Sequence, residues 1–245
     1  MNGSAYKGLT AAAVAAVATI AVAALAAPEI NSVATNRIHD LTATMKVVDK
    51  ETNYEELKRM GGAFATTYRL KKMDVEYKFP DKARFEARIL GQSVLLVYNG
   101  DMKMSKIPLR KDIRNVSDQP GQKQSLMDLG IFSRDYLTSS YRPVYQKTEN
   151  GLHVYKLEQR NTDNRSHEIV YVNPKTSVIE KKFSYNGDNK LTKEMRFRNV
   201  KEFSPGVWLP TRLEIWSQFG KLGAVQNLEN MQVNKGIADT RFDIS

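Results

Sequence analysis

Hydrophobic and polar residues alternate along most of this chain with a period of two, most clearly from Ser166 to Ile215. Ile169 and Tyr171 alternate with polar neighbours before Asn173-Pro174-Lys175-Thr176 turns the chain. Ile179, Phe183 and Tyr185 follow on one parity, and Asn186-Gly187-Asp188-Asn189 makes a second turn. Met195 and Phe197 alternate with Glu194, Arg196 and Arg198; after Ser204-Pro205-Gly206, Val207, Leu209, Leu213 and Ile215 share a parity again. A period of two puts alternate side chains on opposite faces of a strand, so each strand buries one face and wets the other. Consecutive hairpins of this kind predict an antiparallel meander with one apolar side.

The first half of the chain repeats the pattern. Pro28 to Leu41 predicts a short helix, capped at Asn31 or Ser32, and Thr42 to Asp49 a strand with Met45 and Val47 on one face. Glu51 to Met60 is charged and helix-like, though a hairpin extension fits equally, and Gly61-Gly62 ends it. Ala63 to Phe79 reads as a long alternating segment in which Phe64 and Tyr68 give way to Met73, Val75, Tyr77 and Phe79. The parity change near Leu70 predicts a bulge or turn at Lys71-Lys72. Phe85, Ala87 and Ile89 oppose Arg84, Glu86 and Arg88, and turns at Gly91-Gln92 and Asn99-Gly100-Asp101 flank Ser93 to Tyr98. Arg110 to Lys123, with Pro120-Gly121, reads as a loop. From Gln124 to Leu137 the apolar residues fall closer to the helical period, predicting one or two short amphipathic helices broken at Gly130.

Ten or eleven strands and so little helix leave the apolar face of the sheet without a full covering layer. The sheet must curl on itself around either a filled core or a cavity. The inner-face candidates are large and soft: Met45, Met73, Val75 and Tyr77, then Phe85 and Ile89, then Phe183, Met195, Phe197, Leu213 and Ile215. Leu126, Leu129, Ile131 and Phe132 would form a lid over them. Such residues more often fill an ordinary core than line a ligand cavity, but a curled sheet under a short helical lid is a natural container for an apolar ligand.

Residues 1–26 stand apart. Lys7 precedes an Ala/Val-rich run from Leu9 to Leu25 that closes on Ala24-Leu25-Ala26, the layout of a secretory signal peptide, cleaved or kept as an anchor. Residues 27–245 are then one domain, expected in the periplasm, with room for one large core. Without a single cysteine, no disulfide or lipid-modified cysteine is available to it. All 27 acidic and 36 of the 37 basic residues lie in this part, a formal charge of +9. Much of it alternates in sign along strands, as on a solvated face, and the excess suits an anionic surface or an acidic partner. Nucleic acid is disfavoured by the export signal.

Little in the chain points to catalysis. His39, His153 and His167 are far apart, and no pair has metal-ligand spacing. No nucleophile elbow or phosphate-cradling glycine loop is present. The parity of the inner face does not set a polar cluster inside the curl, as an enzyme would need. We therefore expect a non-enzymatic protein with neither cofactor nor metal.

Several runs resemble the outer-membrane lipoprotein carrier (LolA-like) superfamily. They are Phe79-Pro80-Asp81-Lys82-Ala83-Arg84-Phe85, Val172 through Lys181, Tyr185 through Leu191, Gly206 through Arg212, and Asn234-Lys235-Gly236-Ile237 with Phe242-Asp243 beyond. The resemblance implies a mainly β fold, a curved antiparallel half-barrel of about eleven strands closed by a few short α-helices. It implies a periplasmic carrier that shuttles acyl chains of lipoproteins or lipids across the envelope, held by the inner-face and lid residues named above. Its partners would be the acylated lipoprotein or lipid, an inner-membrane releasing complex and an outer-membrane acceptor. The arginine that ties lid to barrel in such carriers has Arg69, Arg84 and Arg88 as its candidates here. The alternative is an envelope interaction or stress-sensing protein that uses the same fold with a filled core.

Overall fold

A computed structural model describes residues 27–245 apart from 90, 118–122, 125 and 161–164, with the backbone alone for 63, 64, 135, 136 and 138. The expected signal segment and the Pro120-Gly121 part of the expected loop lie outside the described residues.

Among the described residues the chain forms one curved, open antiparallel sheet of thirteen strands. The first meander runs through β1 (Asp40–Val47), β2 (Lys72–Lys78), β3 (Lys82–Ile89), β4 (Gln92–Asn99), β5 (Met102–Ile107) and β6 (Arg110–Asn115). The second runs through β7 (Tyr141–Glu149), β8 (Leu152–Gln159), β9 (His167–Asn173), β10 (Val178–Tyr185), β11 (Leu191–Ser204), β12 (Val207–Ser217) and β13 (Leu222–Val233). Every sheet neighbour is also a neighbour in sequence except at the centre, where β1 pairs with β13 and Met45 faces Leu228. One long-range pairing thus joins two locally folded meanders, and β6 and β7 are left as the edges.

Among the described residues four short α-helices accompany the sheet: α1 (Ile30–Val33), α2 (Tyr54–Met60), α3 (Gly62–Tyr68) and α4 (Arg134–Ser140). A 3₁₀ turn, Leu126–Leu129, precedes α4. Leu57, Tyr68, Leu126, Leu129 and Leu137 from these segments, with Phe132 from the link before α4, join Leu41, Val75, Phe85, Phe197 and Leu213 of the sheet in one buried cluster. The α2 start is capped by the Asn53 side chain, which accepts from the Glu56 amide at 3.1 Å. On the opposite face a C-terminal strap, residues 234–245, packs Phe242 against Val97 and Met104 as a second small core. Lys82 Nζ donates to Asp239 at 2.6 Å, and Arg241 pairs with Glu76, fastening that strap.

Three expectations change. The segment from Ala63 to Tyr68 belongs to α3: Ala65 and Tyr68 lie three apart and share its buried face, a spacing that suits a helix. The parity change near Leu70 is the junction from α3 to β2, not a bulge. The stretch begun at Arg110 is strand β6, whose exposed polar residues hide a strand at a sheet edge. This raises the strand count above the expected eleven, while the mainly β, helix-covered half-barrel stands.

The lid is stitched to the sheet through backbone. Ile179 N donates to Gly130 O at 2.8 Å and Phe132 N to Ser177 O at 3.0 Å. Gly130 has φ +80°, and a Cβ there would lie 2.6 Å from Phe197 Cδ1 and 2.9 Å from Pro210 Cγ. Left-handed backbone and close approach both demand glycine. Gly130→Ala is expected to cost about 2–4 kcal/mol from backbone strain and overpacking, read as a lower urea midpoint at unchanged m.

Candidate functional site

The curl is incompletely filled. Between the concave face and the helices lies a cavity of about 580 Å³, within the roughly 300–1,000 Å³ usual for a site that takes one small ligand. Its composition largely divides along the sheet, with Lys103 and Gln124 beside Tyr98 and Gln226 on β13 as polar exceptions in the apolar half. Strands β1 to β4 and β12 contribute Met45, Met73, Tyr77, Phe85, Ala87, Val94, Leu96, Tyr98, Leu213 and Ile215. The end of β8, the start of β9, β10 and β11 contribute Gln159, Ser166, His167, Glu168, Lys182, Ser184, Tyr185 and Lys193, with Met195 between the two halves. Tyr68, Leu70, Asp128 and Leu129 come from the covering segments.

The apolar half holds aromatic rings in edge contact. Phe85 lies 5.6 Å from Tyr77 and 6.2 Å from Tyr98, both close to perpendicular. Burial pushes the Tyr98 hydroxyl up to about 12 and raises that of Tyr68 as well, so both stay protonated at neutral pH.

The polar half is built around a buried lysine. Lys182 is 2% exposed, and its Nζ lies 2.6 Å from Asp128 Oδ1 and 3.4 Å from Glu168 Oε1. Asp128 belongs to the lid and Glu168 to β9, so the ammonium joins lid, β9 and β10 in one ion-pair cluster. Burial disfavours the charge, but Asp128 and then Glu168 outweigh it, and the pKa of Lys182 is raised. Lys193, across the same cluster on β11, is lowered by burial and then by Lys182. His167 stacks on Tyr185 at 4.9 Å, beside these residues.

Met45, Met73, Tyr77, Phe85, Leu129, Met195, Leu213 and Ile215, all anticipated from the sequence, line this cavity. Val75, Leu126, Phe132 and Phe197 are buried in the core outside its wall. Phe132 packs on Tyr155 at 5.4 Å, and Phe197 lies under Gly130. Ile89 is 46% exposed at the end of β3. Phe183 stands on the outer face beside Tyr171, at 5.8 Å. A register shift between Ile179 and Lys181 reverses the parity of β10, so that Lys182 points inward where Phe183 was expected.

The polar cluster inside the curl was thus missed. One signal for it existed: Asp128 interrupts the apolar run Leu126-Met127-Leu129 and would need a partner once buried. The lid tie also differs from expectation. Arg84 pairs with Glu86 at 2.6 Å, and Arg69 and Arg88 are exposed, whereas Lys182 reaches the lid. Among the described residues, no group of three His, Cys, Asp or Glu side chains could hold a metal ion.

A covered half-barrel with an amphipathic cavity defines a class of fold, and the comparisons agree with it. The structure is similar to a domain from Vibrio parahaemolyticus named for outer membrane lipoprotein sorting, at 14% identity and a TM-score of 0.56. That match covers 87% of this chain and 93% of the other. It is also similar to a LolA superfamily protein from Nitrosomonas europaea, at 14% identity and a TM-score of 0.54, over 87% and 94% of the two chains. The fold is therefore LolA-like. No curated protein matches the sequence. A family model described as "-like: Uncharacterized protein" matches residues 111–245, more than half of the chain, and the chain belongs to that family.

The ion-pair cluster predicts a thermodynamic cycle. Asp128→Asn with Glu168→Gln strands the buried ammonium and should cost about 3–5 kcal/mol in urea denaturation, most of it recovered when Lys182→Met is added. Because the folded pKa of Lys182 is raised, its contribution is complete below the unfolded value near 10.5. It fades only as the pH rises through the folded pKa.

Proposed function

We propose that the protein is a non-enzymatic carrier, exported to the periplasm, that holds an acyl chain of a lipid or lipoprotein in this cavity. The observation that carries the reading is the unfilled space itself, about 580 Å³ against the apolar wall of the half-barrel. A filled core, which an interaction or stress-sensing protein would have, fits that space less well. The energetics are consistent with transport. Burying a methylene is worth about 0.8 kcal/mol, so a sixteen-carbon chain represents roughly 12 kcal/mol relative to water. A wall of Met, Leu and Phe resembles a bilayer interior, so exchange between membrane and carrier is near balance and small differences can set its direction. The polar half suits the chain's head, which need not then enter the apolar half. The LolA-like fold of neighbours named for lipoprotein sorting supports the class of client.

Native mass spectrometry of the protein, exported in a two-membrane bacterium and purified without detergent, tests the reading. A co-purified lipid or acylated peptide is expected; a bare mass with no uptake of a fluorescent fatty acid would refute it. Met73 is partly exposed at the cavity wall, so Met73→Asp should spare the fold. It should weaken fatty-acid binding by about tenfold or more, because the chain would then lie against a carboxylate, while the β-sheet circular dichroism is retained.

A further inference from the structure

The β5–β6 hairpin carries three features that cost stability. Leu109, at its tip, is fully exposed and has φ +67°, a left-handed conformation disfavoured for a branched apolar residue. Ile107 beside it is 46% exposed. Lys106 lies directly opposite Lys111 across the hairpin, a like-charge pairing that opposes the fold. Between residues 106 and 111 there are three cations and no acid, Arg110 being the third. Lys111 also donates to the Ser245 carbonyl at 2.7 Å, and the nearest acid along the strand, Asp112, is paired with Arg114 at 2.5 Å.

The neighbouring hairpin extends the patch. In an antiparallel sheet alternate turns share an end, so the β3–β4 and β5–β6 tips lie side by side. Arg88 and Ile89, both exposed, sit at the first of these. The β8–β9 and β10–β11 turns fall at the same end, and the cavity reaches it through Ala87, Val94, Gln159, Ser166, His167 and Tyr185. Apolar tips set among cations therefore stand on the rim where the cavity approaches the surface.

We infer that this rim is a docking surface for an anionic phospholipid bilayer, with Leu109 and Ile107 entering the interface and Lys106, Arg110 and Arg88 meeting lipid phosphates. The charge selects the partner. A cationic rim with projecting aliphatic residues matches an anionic lipid surface, into which apolar tips sink while the cations stay at the level of the phosphates. Docking in this orientation turns the cavity toward the membrane, and the contact stands independently of what the cavity holds.

Sedimentation with vesicles tests it. The protein should bind phosphatidylcholine vesicles containing phosphatidylglycerol, and bind phosphatidylcholine alone far more weakly. Lys106→Gln with Arg110→Gln should lower partitioning by about 25-fold, at roughly fivefold per cation. Leu109→Ser should lower it by about tenfold. Leu109→Gly should weaken binding while raising Tm, since glycine relieves the left-handed backbone. The inference is overturned if the protein ignores phosphatidylglycerol vesicles, if these variants bind as the parent does, or if Leu109→Gly lowers Tm. Binding to an acidic protein without binding to vesicles also overturns it. Uptake of soluble fatty acid by the same variants reports the cavity separately: vesicle binding without uptake would sink the carrier reading and leave the docking surface standing.

Discussion

A single sheet with one apolar face has no second sheet to bury it against, and the remainder of the structure answers that constraint. Thirteen strands expose far more apolar surface than four short helices can cover when the sheet is flat. Strand twist and the shifts of register in β1, β7, β10, β11 and β12 bend the sheet until the helices and the 3₁₀ turn suffice as a cover. The fit is incomplete on the concave side, and the remaining space is the cavity. On the convex side the C-terminal strap covers the apolar residues of β4 and β5, so each face is managed by a different part of the chain.

The cover is held in two ways that respond differently to change. Glycine at 130 lets the backbone approach Phe197 and bond to β10, an arrangement set by shape. The Lys182 cluster is set by charge: one fully buried ammonium is met by two partly buried carboxylates, and it is tolerable only while they are present. This makes the lid position specific, since Asp128 has one place where its charge is met. It also fills part of the concave face with polar groups, so the cavity has a chemical direction, apolar under β1 to β4 and polar toward β8 to β11.

Much of this was legible before the structure. Hairpin turns at Asn99-Gly100-Asp101, Asn173 to Thr176 and Asn186 to Asn189 fall where expected, and the helical lid breaks at Gly130. Tyr68 and β6 were misread for local reasons. Residues at i and i+4 satisfy a strand and a helix alike, and an edge strand need not carry an apolar face. Within the site, residues on strands without a register shift, such as Met73 on β2 and Phe85 on β3, could be assigned to the inner face by parity.

The alternation of side chains by itself determined a one-sided antiparallel meander, because a period of two is a property of the backbone and needs no partner to be expressed. It also determined that the sheet must curl, since the count of helices is written in the same pattern. Only the tertiary structure decided what lies inside the curl. One bulged register between Ile179 and Lys181 turns Phe183 outward and Lys182 inward, and the free energy of that choice resides in Asp128, some fifty residues away on the lid. A side chain's parity is local, but the charge that makes a buried lysine tolerable arrives only when distant segments meet.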